Sequence, residues 1–494
     1  MSRLKRAVLV DSVAVEGSGV MTLPSPWIAS NLDKIRAAQS GDVLFVASGQ
    51  GKQQRKIERR STTSWSIVLY QPEDGPFRIE NTSPITITPS AVSGNITLTA
   101  SAAIFRSSHV GALFSISPEG QRVTSDISSQ NTFTSDIRVT NVGESRRFTV
   151  KITGTWAATV TLQRSIGDNL NWEDVTTYTA NTTTTYADGL DNQIIYYRIG
   201  IKTGEYTSGT VTTTLIYSLG SSRGVCRVTA YTSGTVVSAE VLSDLGGITA
   251  TDVWAEGEWS SFRGFPTSVA FYEGRLWWAG KNGIGGSVSD AFDVFDPDFE
   301  GDAGPISRTI GSGPVDTINW LLPMQRLLIG AEGSEYSARS TTFDEPLTPT
   351  NFNIKEASSQ GSARVDAIRI DSRGVFLQRS GTRVYELAYN FEFNDYEATD
   401  LTALIPEMGE PSIVRMVVQR QPDTRLHCVR SDGTVAIAVI DRPEKTLAWI
   451  DVETSGNGVE DAVILPGTIE DSVYYHVRRV INGTTRRYLE KWAL

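Results

Sequence analysis

Short apolar runs broken by Gly, Asp or Asn recur through the second half of the chain. Residues 268–272 and 275–279 are separated only by Glu273-Gly274. A two-residue loop ending in Gly suits a type I′ turn, so the pattern predicts a β-hairpin. Weaker copies follow at 325–330 with 333–337, 372–377 with 382–387, 425–429 with 432–436, and 471–475 with 486–490. Their spacing of about 40–50 residues is that of a repeated blade. One such unit cannot bury both of its faces, so the expected fold is all-β, with a β-propeller-like core of hairpin blades.

The first half is patterned differently. Residues 1–24 read as an arm or an early strand pair, and Pro24-Ser25-Pro26-Trp27 stiffens the backbone after it. Ser30 is placed to cap a short helix over 31–39, with Leu32, Ile35 and Ala38 on one face. Residues 42–47 and 64–70 read as strands. Residues 80–104 are rich in Thr, Ser and Pro, with β alternation at Ile85, Ile87, Ile96 and Leu98. From about 130 to 220 the chain is dense in Thr, Tyr and Val. Strands are expected near 146–153, 157–164, 194–202 and 210–217, with turns at Asp188-Gly189 and Lys202-Thr203-Gly204, which suggests a β-sandwich. Trp156 and Trp172 read as its core or rim, with sugar stacking as the alternative.

Residues 110–116, 224–231 and 236–242 look like strands of one small β domain interrupted by that sandwich. The expected division is an arm, short helix and first propeller strands over 1–80; linker strands and the first part of the small domain over 81–130; an inserted Ig-like sandwich over 131–220; return strands over 221–255; and the main part of the propeller over 256–494. The first segment is expected to return and close the ring, because closure removes sheet edges.

Composition narrows the function classes. No run approaches 18 consecutive apolar residues, so no membrane span is expected. The N-terminal apolar run stops at Asp11, too short for a signal peptide. Cys226 and Cys428 lie far apart and read as reduced, buried thiols. With only His109, His427 and His476 present, a histidine-based metal site or triad is disfavoured. The net charge of −11 disfavours non-specific attraction to nucleic acid. Two basic groups stand apart: Lys52, Arg55, Lys56, Arg59 and Arg60, and Arg478, Arg479, Arg486 and Arg487. They read either as solvated strand edges or as contacts to acidic partners or DNA phosphates.

Motifs for catalysis are sparse. The chain has no Gly-x-Gly-x-x-Gly opening a helix, no Walker loop and no His-Glu-x-x-His. The loop bearing Asp290, Asp293, Asp296, Asp298, Glu300 and Asp302 offers carboxylates for a glycosidase pair or oxygen ligands for Ca²⁺, or is simply solvated. Ser431-Asp432-Gly433-Thr434 is a partial echo of the sialidase box and lacks its Trp.

A family resemblance joins several motifs. Asp74-Gly75-Pro76-Phe77, Asn81-Thr82, residues 86–90, 94–100 and 109–114 resemble the tail nozzle proteins of short-tailed bacteriophages, the tail tubular protein B-like family. The strongest signature is Gly264-Phe265-Pro266 with Phe271, Gly274, Arg275, Leu276 and Trp277; 325–330, 347–351, 361–363 and 383–389 add to it. The resemblance covers roughly 20–120 and 222–494; the stretch 130–220 falls outside it.

The resemblance implies a non-enzymatic virion tail protein, made in the host bacterial cytoplasm and needing no cofactor. It implies a homohexameric nozzle or hub beneath the phage's head-to-tail adaptor ring. The axial channel would conduct double-stranded DNA without tight binding, and the outer face would hold tail fibres or spikes. An acidic lumen would repel a duplex and let it slide, which makes the six acids of 290–302 candidates for channel-facing groups. The alternative is a carbohydrate-binding or glycosidase-type propeller adhesin.

Overall fold

The computed structural model describes residues 15–16, 19–20, 22–49, 51–118, 121–139, 147–190, 193–217, 223–311, 317–341, 345–392, 394–456 and 458–492. The fold is all-β; helix is confined, among the described residues, to three 3₁₀ turns at Ala29–Lys34, Ser107–His109 and Pro406–Gly409. The chain forms two compact units, Met1–Pro72 with Gly264–Leu494, and Glu73–Arg263. These boundaries differ from the expected 80 and 255.

Besides a ribbon pairing Val15–Glu16 with Gly19–Val20, the described residues of the larger unit form six antiparallel sheets. The remainder of the expected N-terminal arm lies outside the described residues. The first sheet runs Arg36–Ser40, Val43–Ala47, Arg55–Ser61, Ser64–Leu69. The opening strands of the other five begin at Ser268, Ile318, Ile368, Ile413 and Val459, close to the period read from sequence. The 268–279 hairpin supplies the first two strands of its sheet, whereas the later hairpins supply the second and third. The hairpins are therefore not equivalent copies.

The expected helix over 31–39 is replaced by the 3₁₀ turn and the strand Arg36–Ser40. Arg36–Ser40 pairs with Val43–Ala47 across a turn in which Gly41 takes φ 54°. This pairing buries Ile35 with Trp27, Val46 and Ile57. Tertiary burial outweighs the weak helical periodicity. Ser30 lies inside the turn, and it is the Asn31 carboxamide oxygen that accepts the Ile28 N–H, at 3.1 Å.

Apolar clusters join consecutive sheets. Phe45 meets Phe271 between the first and second. Trp277 and Ala279 meet Leu327 and Tyr336 between the second and third. Trp320 and Leu328 meet Phe376 and Leu387 next, Val375 and Leu377 meet Met416 and Leu426, and Val435 and Ile437 meet Val459 and Val473.

The described residues of the smaller unit form two sheets. One has six strands in the spatial order Trp254–Glu256, Leu113–Ile116, Gly224–Ser233, Val236–Ser243, Asn95–Ala100, Ile87–Pro89. The other has seven and begins at Gln121, upstream of the expected boundary at 131. Its frame is two long strands, Arg147–Ile166 and Ile195–Tyr217, paired along their length. Four separate strands were expected here, with a turn at 202–204. Instead the pair stays continuous through register shifts at 157–160, and both ends feed one core containing Phe148, Val150, Leu162, Ile199 and Leu215. Gly154 and Gly209, with φ of 122° and 88°, sit where the other strand's backbone leaves no room for a Cβ. Trp156 and Trp172 are half-buried, Trp156 donating to Asn181 at 2.7 Å and Trp172 lying 3.9 Å under the Arg198 guanidinium.

Candidate functional site

The strands Ser268–Tyr272 and Arg275–Gly280 carry the signature segment, and each of its residues has a packing role. Glu273 and Gly274 take φ of 47° and 71°, the paired positive values of a type I′ turn. Phe271 meets Phe292 edge-on at 4.9 Å. Leu276 is fully buried. Trp277 and Trp278 point to opposite faces, as strand geometry requires, and both are buried. The Trp277 ring stacks on Phe352 at 5.5 Å and lies flat over Gly286, and its N–H donates to the Tyr272 carbonyl at 3.0 Å. Trp278 meets Tyr70 at 4.9 Å. Gly264 has φ 92°, and the Phe265-Pro266 backbone approaches Gly280 too closely for a side chain there.

Arg275 is buried and donates to the carbonyls of Ser287, Ala303 and Gly304 at 2.8, 2.9 and 2.5 Å. Burial lowers its pKa from the usual arginine value. It clamps both ends of the acidic loop. Of the six acids, Asp290, Asp293, Glu300 and Asp302 are exposed, and Asp296 and Asp298 are half-buried. Asp293 pairs with Lys56 at 3.0 Å, and the Tyr70 hydroxyl donates to the Phe292 carbonyl at 2.6 Å. The loop thus packs on the first sheet. Its separate acids are not gathered for metal binding: among the described residues no group of three or more His, Cys, Asp or Glu side chains is placed to hold an ion.

A cavity of about 640 Å³ lies within the larger unit, and every sheet contributes to its wall from its first strand or the residues entering it: 36–39, 268–271, 321–323, 366–368, 415–418 and 462–464. None of the six loop acids lines it. Much of the wall is apolar, including Val269, Leu322, Ile368, Met416 and Ile464. Its charged part, Arg36, Asp366 and Arg415, belongs to an ion-pair chain. Arg36 meets Asp366 at 2.6 Å, Asp366 meets Arg415 at 3.4 Å, and Arg415 meets Asp461 at 3.1 Å. Arg36 also donates to the Arg364 carbonyl at 2.8 Å. Both carboxylates are engaged by guanidinium groups, an arrangement that links sheets rather than one that presents an acid and a nucleophile to a substrate.

The other titratable groups flagged by the sequence have structural partners. His109 meets Glu256 at 3.2 Å, and His476 meets Glu460 at 3.3 Å. His427 is buried, 2.6 Å from the Tyr475 hydroxyl and 3.1 Å from Gln419, and burial pushes its pKa down to about 4. Cys226 and Cys428 are free, buried thiols whose pKa burial pushes up to about 12. Asp432 accepts the N–H and hydroxyl of Thr434 in a tight turn, at 3.0 and 2.7 Å. In the basic run, Arg59 pairs with Asp42 and Arg60 with Glu58, at 3.7 and 2.8 Å. Near the C-terminus Arg487 pairs with Glu460 at 2.9 Å.

Sequence reasoning missed two features. The ion-pair chain joins residues hundreds of positions apart, and no local signal announces it. Glu335 is fully buried and accepts the Ser362 hydroxyl at 2.7 Å; burial raises its pKa to about 7.

No protein-family model and no curated protein matches the chain. Among solved structures, an auxiliary nutrient binding protein from Bacteroides thetaiotaomicron VPI-5482 is similar at a TM-score of 0.28 and 10% identity, over 55% of this chain and 76% of that one. A likeness that slight carries no argument about fold or function.

Proposed function

We propose that this chain is a structural protein of a short-tailed phage tail, the nozzle or hub, with its six sheets acting as blades of a propeller-like ring. One observation carries the reading. The motifs that resemble the nozzle family fall over 20–120 and 222–494, and the stretch outside the resemblance coincides with one structural module, the seven-stranded sheet over residues 121–217. A common frame with a separate added sheet is the pattern of insertion into an established architecture. The signature residues supply packing, turn geometry and loop anchoring, as a scaffold protein requires.

In this reading six copies assemble beneath the adaptor ring, and the duplex passes along the common axis. The acidic balance of the chain lowers its affinity for DNA. The protein acts by position and shape and performs no bond-breaking step. The added sheet is the natural seat for fibres or spikes.

The test mixes the purified chain with the head-to-tail adaptor ring of its phage. Light scattering and electron microscopy should find a sixfold ring seated on the adaptor, and duplex DNA should bind it weakly at physiological salt. A chain that remains monomeric with the adaptor and cleaves or captures glycans would establish the adhesin reading instead.

A further inference from the structure

Three cations converge on one carboxylate where the third and fourth sheets meet. Asp395 opens the strand Asp395–Asp400 of the fourth sheet and is buried. Its Oδ1 accepts the Ser337 hydroxyl at 2.8 Å and the Tyr396 N–H at 2.9 Å, and lies 3.5 Å from Arg326. Its Oδ2 lies 3.6 Å from Arg339 and 3.7 Å from Lys355, both on neighbouring strands of the third sheet. Arg326 and Arg339 also donate to one acceptor, the Asn394 carbonyl, at 2.9 and 3.1 Å, which holds their guanidinium groups side by side. One negative charge thus faces three positive ones, in a chain whose net charge is −11. Water does not screen the excess fully, since the Arg326 and Arg339 side chains are only 8% and 21% exposed. A desolvated cation without a counter-charge is costly. The contacts to Oδ2 are too long for hydrogen bonds. Lys355, 50% exposed, therefore donates to no described residue, and Arg339 donates only to Asn394.

We propose that Arg339 and Lys355, backed by Arg326, form a binding site for a phosphate dianion, either free or carried by a small phosphomonoester. The two charges of the dianion match the two cations that Asp395 leaves uncompensated, whereas a carboxylate would offset only one of them. The planar fork of Arg339 suits two phosphate oxygens at once, and Lys355 adds a point charge on a flexible stem. Asp395 is a positioning group: fixed by Ser337 and Tyr396, it offsets the repulsion among the cations before the ligand arrives. The ring of Tyr389, 5.2 Å from the Arg326 guanidinium, supports that side chain from another side. A phosphodiester in a duplex carries a single charge and is flanked by sugars, so it fits a half-buried guanidinium poorly. None of these residues lines the cavity or belongs to the acidic loop. The inference stands apart from the tail assignment, and its test reads anion binding alone.

The test titrates the intact chain at low salt with inorganic phosphate and with phosphoserine, read by calorimetry. Each should saturate one site per chain, and the tighter of the two identifies the source of the phosphate. Arg339→Gln with Lys355→Gln should weaken binding about tenfold or more, while Lys355→Arg should keep it. Should the double variant fold poorly, Lys355→Glu changes only the half-exposed side chain and should abolish binding with the melting temperature retained. A short duplex at equal phosphate concentration should not displace the bound anion. Absence of a saturable site in the intact chain, equal affinity in Lys355→Glu, or displacement by the duplex would each overturn the proposal.

Discussion

In the second sheet every side chain from Arg275 to Ala279 is buried, whereas Thr182–Ala187 of the seven-stranded sheet alternates half-buried with exposed side chains. The second sheet is packed on both faces by neighbouring sheets, so its second strand has no solvent side. The seven-stranded sheet folds two long strands over one core and keeps an outer face in water. In the first arrangement stability depends on large rings between sheets. In the second it depends on the backbone bends that let one hairpin close on itself.

The largest expected effects test that contrast directly. Trp277→Ala and Trp278→Ala should each cost about 3–5 kcal/mol, while Thr183→Ala and Thr185→Ala, on exposed positions of the seven-stranded sheet, should stay within about 0.5 kcal/mol. Chemical denaturation checks both; similar costs would erase the distinction. Next come the bends. A Cβ at Gly209 would lie 2.2 Å from the Thr155 carbonyl oxygen, so Gly209→Ala should cost about 2–4 kcal/mol. Gly204 has a similar positive φ and open space around it, so Gly204→Ala should cost only about 1 kcal/mol.

Two buried groups should give the larger unit opposite pH responses. The unfolded Glu335 carboxyl ionises near 4.5, while the folded one holds its proton until about 7. Stability therefore falls as pH rises through that window, and Glu335→Gln should remove the fall, about 3 kcal/mol. The unfolded His427 imidazole takes a proton near 6.5, while the folded one does so only at about 4. Stability is therefore lost as pH drops from 6.5 to 4, and His427→Gln should flatten that limb. Melting temperatures across pH 4–8 read both slopes; an unchanged profile in either variant counts against that group.

Smaller effects remain. Gly274→Val should cost about 1–2 kcal/mol and Gly274→Asn a few tenths, because Asn accepts the left-handed conformation; equal melting temperatures would contradict the turn assignment. The smallest expected effect is on the larger unit when residues 119–221 are replaced by a two-residue turn. Ile116 and Gly224 are paired neighbours, so the cut ends already meet. The larger unit should melt unchanged, and its loss from solution would show that the seven-stranded sheet supports it.

The hairpins were legible because a type I′ turn and the alternation beside it are local properties of a few consecutive residues. The strands of the six-stranded sheet were legible for the same reason, although 224–231 and 110–116 are far apart along the chain. The strand at 36–40 was hidden, since Leu32, Ile35 and Ala38 mimic a helix until pairing with 43–47 decides the matter. The two long bent strands were read as four, because Lys202-Thr203-Gly204 looks like a turn when only its neighbours in sequence are considered. The ion-pair chain of Arg36, Asp366, Arg415 and Asp461 had no sequence signature at all. Local sterics and alternation set which residues become strands; only tertiary packing decides which distant charges are brought together, because burial makes an unpaired charge too costly and selects its partner by position in space.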